Sequence, residues 1–330
     1  MRDPQLLIDL AAVLASSAPL IFATMGETIT ERAGVINLSL DGTILLAGMV
    51  GFAAGLHSES VLVGLVAAVA VGMLVSLVLS MLSITLNQSQ TAVGFVLTLL
   101  CTDLSSFLGN AYVRVPGEVV PHQPVPLLRD IPWLGNLFFN HDLLIYASFL
   151  LIPATWWFLF HTRTGLIVRS LGERPEAAFA RGINVTAWRY FYVVLGGALI
   201  GLAGAAYTLD IKQGWGHRHT AGMGWIALAI VIFGGWKPWR VAFGCYLFGA
   251  LLTLASRTQG MLSWLPTQVF QVAPFVLMIG VLAIVNGSTH PAVARRVANL
   301  PPPLRNPLQK MLTNFAVSAP AALGKPFEKP

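Results

Sequence analysis

The chain has 330 residues, of which 55% are hydrophobic and only 10% charged, with a mean hydropathy of +0.71. Soluble globular chains are about 25% charged, so this composition excludes a soluble enzyme or binding module and implies an integral membrane protein. The formal net charge of +6 reflects membrane orientation and not nucleic acid, because the basic residues fall mostly in loops beside apolar runs.

The apolar runs are helix-length and lack the alternating pattern of a membrane barrel. In chain order they cover residues 6–25, 34–56, 61–86, 91–109, 143–160, 190–210, 224–236, 240–257 and 267–285. The fold class is therefore all-α, a polytopic membrane helix bundle of about eight to ten spans. The first run has a weak basic flank and a poor cleavage signal, which makes it a retained span and not a signal peptide. The seventh is too short to cross about 30 Å of hydrocarbon and predicts a broken or re-entrant helix. Residues 1–285 thus form a transmembrane domain with an external loop, 110–142, and a cytoplasmic loop, 161–189. The external loop holds Pro116, Pro121, Pro124, Pro126 and Pro132 and predicts an irregular lid. Residues 286–330 are proline-rich, without apolar periodicity, and predict a disordered cytoplasmic tail.

Orientation follows from Arg163, Arg169, Arg174, Arg181 and Arg189 in the 161–189 loop, which the positive-inside rule places in the cytoplasm with the C-terminus. Within that loop, residues 173–183 predict a short helix. Pro175 suits its first position and Gly182 the stop just past its end. Ala177, Ala178, Phe179 and Ile183 give it an apolar surface without a core of its own, which suits docking into a groove of another protein. Phe179 and Ile183 are the expected anchors. Glu173 and Glu176 near the helix start favour its positive end, or pair with cations of the partner.

Asn37 and Asp41 stand a helical turn apart at the start of the second run. Buried acids in apolar spans face a cavity, a partner or water. Two readings stand: both residues line the path of a solute, or both fasten the span to a neighbour. Asp103, with Thr98 nearby, invites the same pair of readings. Phe95 and Trp225 offer faces on which a base stacks, or serve in packing. Glycines at four-residue spacing, including Gly197 and Gly201, predict close helix approach. His217 and His219 predict two exposed histidines in a short external loop. Cys101 and Cys245 lie in apolar runs without metal-ligand spacing, so no metal site is expected.

The run Thr164-Gly165-Leu166, Arg169 to Ala178 and Gly182-Ile183-Asn184-Val185 resembles the cytoplasmic loop of ABC importer permeases, in the branch serving simple sugars, nucleosides and branched-chain amino acids. Glu31 to Gly42, Ile131 to Asn140 and Gly224 to Gly234 resemble stretches of the nucleoside-type permeases. The resemblance covers about residues 15–285. It departs at Asp41, where such permeases commonly carry Glu, and in the longer tail.

The resemblance implies a type II importer fold and a permease subunit for a small polar solute, nucleosides or nucleobases first and simple sugars next. It makes Gly172, Glu173, Pro175, Glu176, Ala177, Ala178, Phe179, Gly182 and Ile183 the contact with a separate ATPase subunit, which holds the ATP and magnesium. This chain carries no Gly-x-x-x-x-Gly-Lys-Ser/Thr loop and binds no cofactor of its own. Further implied partners are a second permease subunit in a heterodimer, an extracytoplasmic substrate-binding protein and the lipid of the bacterial inner membrane, with no nucleic acid. An ion-coupled carrier is the rival class, and an intramembrane enzyme would need a nucleophile or metal cluster absent from the spans.

Overall fold

The computed structural model describes residues 4–129, 131, 134–220, 222–261 and 319–328, with scattered positions between 266 and 280. The expected ninth span and most of the tail lie outside the described residues. Among those residues there is no β-strand, and seven helices are long and apolar enough to cross a membrane.

Helix α1 (Pro4–Arg32) continues well beyond the expected end at residue 25. Its last two turns are polar, yet they find partners within the protein: the Thr28 and Thr30 hydroxyls donate back to the carbonyls of Thr24 and Gly26, and Glu27 accepts from the Asn37 N–H at 3.2 Å. Gly34, at φ +92°, ends the helix, with Val35 N–H bonded to Thr30 O and Gly34 N–H to Glu31 O. That pairing is a Schellman cap.

Residues 35–39 then run without helix, and α2 (Leu40–Ser58) begins later than the expected residue 34. The remaining order is α3 (Val61–Ser80), α4 (Gln90–Gly109), the short external α5 (Leu134–Phe138), α6 (Leu143–His161), α7 (Arg163–Glu173), α8 (Pro175–Ala180), α9 (Val185–Ala205), α10 (Met223–Gly234) and α11 (Pro238–Met261). A π-helical turn extends α3 through Met81–Thr85 and another extends α9 through Ala206–Ile211.

The core lies among α1, α2, α3 and α9, with α10 filling the cytoplasmic half beside α1 and α11. Glycine contacts let α3 and α9 touch backbone to backbone: a Cβ on Gly72 would stand 2.7 Å from Gly201 N, and one on Gly201 would overlap the Ala68 carbonyl. The small-residue spacing in the sequence therefore does pack helices closely. Trp157 and Trp239 are exposed near helix ends, as an aromatic belt requires, whereas Trp236 and Trp215 are buried in protein contacts.

Gly201→Leu is expected to lose about 1–3 kcal/mol by overpacking, with a lower thermal midpoint in detergent. Leu62→Ala, on a 69% exposed face, should leave that midpoint nearly unchanged.

Candidate functional site: a loop junction and a three-helix contact

The 161–189 loop is two helices, α7 and α8, joined at Arg174. Thr162 caps α7 through Gly165 N–H at 2.9 Å, and Pro175 opens α8. Gly182, at φ +83°, ends α8 with Gly182 N–H bonded to Phe179 O and Ile183 N–H to Ala178 O, the cap that the sequence predicts. A Cβ there would meet nothing within 4 Å, so glycine serves the backbone angle and not packing.

The faces of α8 differ from expectation. Phe179 and Ile183 do not point away from the protein. They join a second hydrophobic cluster with Ala178, Leu171, Val185 and Tyr192, and the Phe179 ring lies 5.8 Å from that of Phe327. The chain thus supplies the local core that the sequence reading lacked, and it does so from sequence-distant segments. What α8 leaves exposed is Glu176, Ala177, Ala180 and Arg181, with Glu173 half-exposed before it. Gly172 and Pro175 are buried on the inner side.

Arg189 fixes this module to the bundle. Counted among the loop cations in the sequence, it is 1% exposed, and its guanidinium donates to Leu171 O and to Lys325 O, both at 3.2 Å. Gly34 gives it room: a Cβ there would stand 2.8 Å from the guanidinium. Gly172 packs on the Arg32 carbonyl, and Arg32 pairs with Glu173 at 3.8 Å. Arg32 also donates to Trp236 O at 3.2 Å, and the Trp236 indole donates to Glu31. The loop therefore touches the end of α1, and through Trp236 the end of α10.

The opposite ends of two helices meet deeper in the bundle. Ile36 N–H bonds to the Gln90 side chain at the start of α4, and the Thr98 hydroxyl donates to Leu38 O at 2.6 Å. Thr98 stands eight residues along α4 from Gln90, about 12 Å at 1.5 Å per residue. Helix α2 thus starts beside the middle of α4, and α10 starts against it: the Asp41 carboxylate accepts from Gly224 N–H at 2.9 Å. From there α10 runs for 12 residues, shorter than any of the seven span-length helices. A Cβ on Gly224 would overlap the Asp41 backbone, and one on Gly42 would overlap that of Thr98, so the three helices converge without side chains between them.

Of the expected path residues, Asp41, Thr98, Phe95 and Trp225 come together here. The Phe95 and Trp225 rings are 6.3 Å apart and tilted by 49°, both partly exposed on the outer side of the bundle. Asn37 does not share a helical face with Asp41, since it precedes the helix. It is fully buried: its backbone N–H donates to Glu27, and its side-chain oxygen accepts from the Ser39 N–H and hydroxyl. Asp103 lies nearer the external end of α4, exposed and paired with Arg218 at 3.7 Å. The sequence reading missed Glu27, Glu31, Trp236 and Arg189. Glu27 and Glu31 stand four residues apart, a spacing that could have revealed a continuing helix face.

The two external histidines also part company. His217 is exposed, whereas the His219 ring sits between Tyr207 and Trp215 and its Nδ1 bonds to Gly216 O at 2.8 Å. Burial lowers its pKa from 6.5 to about 4. Among the described residues no group of three or more His, Cys, Asp or Glu could hold a metal.

The profile of the family described as "Branched-chain amino acid transport system / permease component" matches residues 10–282. The chain belongs to that family of multi-pass transport components. It is 36% identical over 76% of its length to a protein of Haloferax volcanii that carries the provisional name glucose ABC transporter permease protein, 78% of which is covered. It is 32% identical to the nucleoside ABC transporter permease protein of Lactococcus lactis subsp. cremoris, covering 85% of this chain and 92% of that one. The guanosine ABC transporter permease protein of Bacillus subtilis is also 32% identical, with 82% and 90% covered. No solved structure matches.

Asp41→Ala strips the partner from a buried N–H and is expected to cost about 1–3 kcal/mol, while Asp41→Asn keeps an acceptor and should cost less, as thermal unfolding in detergent would register. For His219, the folded state holds the neutral ring, so its contribution is complete above pH 6.5 and declines as pH falls toward about 4. His219→Gln should flatten stability across that window, measured by unfolding at stepped pH.

Proposed function

We propose that the chain is the permease subunit of an ATP-driven importer for nucleosides or nucleobases in the bacterial inner membrane. It works with a separate ATPase subunit, which binds the ATP and magnesium, with a second, non-identical permease and with an extracytoplasmic binding protein. The observation that carries the nucleoside reading is the Phe95–Trp225 corner beside Asp41 at the mid-depth gate. An aromatic corner receives the flat face of a base, and a carboxylate next to it accepts hydrogen bonds from ring N–H or sugar hydroxyl groups. Two relatives named for nucleoside transport, similar over most of both chains, support the same substrate class. A sugar importer is the second reading, favoured by the 36% identity to the glucose-named relative, since sugars also stack on aromatic rings. Membership of a family of ABC permease components leaves no support for an ion-coupled carrier.

The coupling path follows from the contacts. A push on the exposed side of α8 passes through Gly172 and Arg189 to the turn at Arg32–Gly34. From there, residues 35–39 lead to the start of α2, where Asp41 holds the start of α10. Trp236 ties the far end of α10 to Glu31 and Arg32. Motion of the loop is thus delivered to both ends of α10, the half-span that stands at the gate.

The test is uptake into proteoliposomes holding the reconstituted complex and ATP, with the proton gradient collapsed. Labelled nucleoside should accumulate, and accumulation of glucose in its place would overturn the substrate assignment. Ala177→Asp, on the exposed side of α8, should leave insertion intact and reduce substrate-stimulated ATP hydrolysis by about tenfold. Unchanged stimulation would remove α8 as the docking element. Phe179→Asp is a poorer probe, because it places a charge in the protein's own cytoplasmic cluster.

A further inference from the structure

Residues 319–328 sit in the angle between α7–α8 and the α1–α2 turn, although the sequence places them in a structureless tail. Their backbone bonds to both walls. Ala322 N–H donates to Gly172 O at 2.8 Å, and Gly324 N–H donates to Gly34 O at 3.1 Å. Ala321 N–H donates to the Glu173 carboxylate at 3.3 Å, and the Lys325 carbonyl accepts from Arg189. Ala322 is 7% exposed, and Phe327 covers Phe179. Gly324 turns the segment at φ +76° with its Cα against Ile36, where a Cβ would stand 2.8 Å from the side chain.

We infer that this segment is a positioning strap for transport: by bonding to Gly172 on one side and Gly34 on the other, it makes the coupling helix and the α1–α2 turn move as one body. The inference rests on the reading of α8 as the ATPase contact. Without the strap, Phe179 loses its cover, and the angle between the two walls keeps Arg189, the Arg32–Glu173 pair and the packing of Gly172 and Leu171 against the end of α1. A load on α8 would then spend itself in bending that angle. The strap touches neither solute nor nucleotide, so its effect belongs to the ratio of solute moved to ATP hydrolysed.

The complete complex in proteoliposomes provides the test. A chain ending at residue 318, and Phe327→Ala in the full chain, should still copurify with the ATPase but move about tenfold less solute per ATP. Phe327→Leu should restore most of that ratio. In a Glu173→Cys/Ala321→Cys chain, a short thiol crosslinker should leave transport equal to that of the same chain unlinked; Cys101 and Cys245 are buried and should not compete. An unchanged ratio in the truncated chain and in Phe327→Ala would overturn the inference, and so would loss of transport on crosslinking, since the segment would then have to release. Ala177→Asp separates the two levels. If it uncouples while the strap variants do not, only the strap is lost; if it too leaves coupling intact, the reading of α8 has failed.

Discussion

A guanidinium buried beneath the 161–189 loop is the constraint on which the rest is arranged. Arg189 lies near the start of α9 and is almost wholly shielded from solvent, at a point where sequence alone suggests a solvated cation. A buried charge is tolerated only where hydrogen bonds compensate its lost hydration. The compensation comes from the Leu171 carbonyl near the end of α7, where the helix dipole favours a cation, and from the Lys325 carbonyl of the tail. Those bonds draw three sequence-distant segments to one point, and the absence of a side chain at Gly34 lets the α1–α2 turn close over it. The loop is consequently no flexible appendage. It is built into the bundle at the place where α1 ends.

The second constraint is the satisfaction of backbone N–H groups at helix starts inside the bundle. Spans ordinarily put these groups at the membrane surface, but α2 and α10 both begin beside the middle of α4, packed among other helices. Asp41 addresses the problem for α10 by accepting from Gly224, and the close approach at Gly42 and Gly224 leaves little space for solvent between the helices. Such a junction has few stable alternatives. If α10 shifts, Asp41 must shift with it or leave a buried donor unpaired, at a cost of about 1–3 kcal/mol. A junction built this way changes state in a step and not by gradual deformation.

The outer side of α4 and α10 adds a third feature. Asp103 and Arg218 are both exposed there, as are Phe95 and Trp225. Asp103 is nine residues short of Tyr112 at the external end of the α4 span, about 14 Å along the helix. An acidic side chain at such a depth is retained against protein or water and not against hydrocarbon. A face that combines aromatic rings with a charged pair therefore suits contact with protein or water better than with lipid.

Much of this was legible from residues in order. Apolar length marked the spans, Pro175 and Gly182 bounded α8 correctly, and the short run at 224–236 marked a short helix, because each depends on local chemistry: transfer to hydrocarbon, a missing N–H, a positive φ. The extension of α1 through Glu27 and Glu31, the inward turn of Phe179 and Ile183, the burial of Arg189 and His219, and the seating of residues 319–328 were not. A lone Glu, Arg or Phe has no fixed depth; its place is set by partners such as Asn37, Trp236, Lys325 and Phe327, which lie from ten to more than two hundred positions away. Local order names the elements and where they stop. Which side of each one meets water, lipid or protein is decided when distant segments supply, or fail to supply, the missing hydrogen bond or the missing wall of a core.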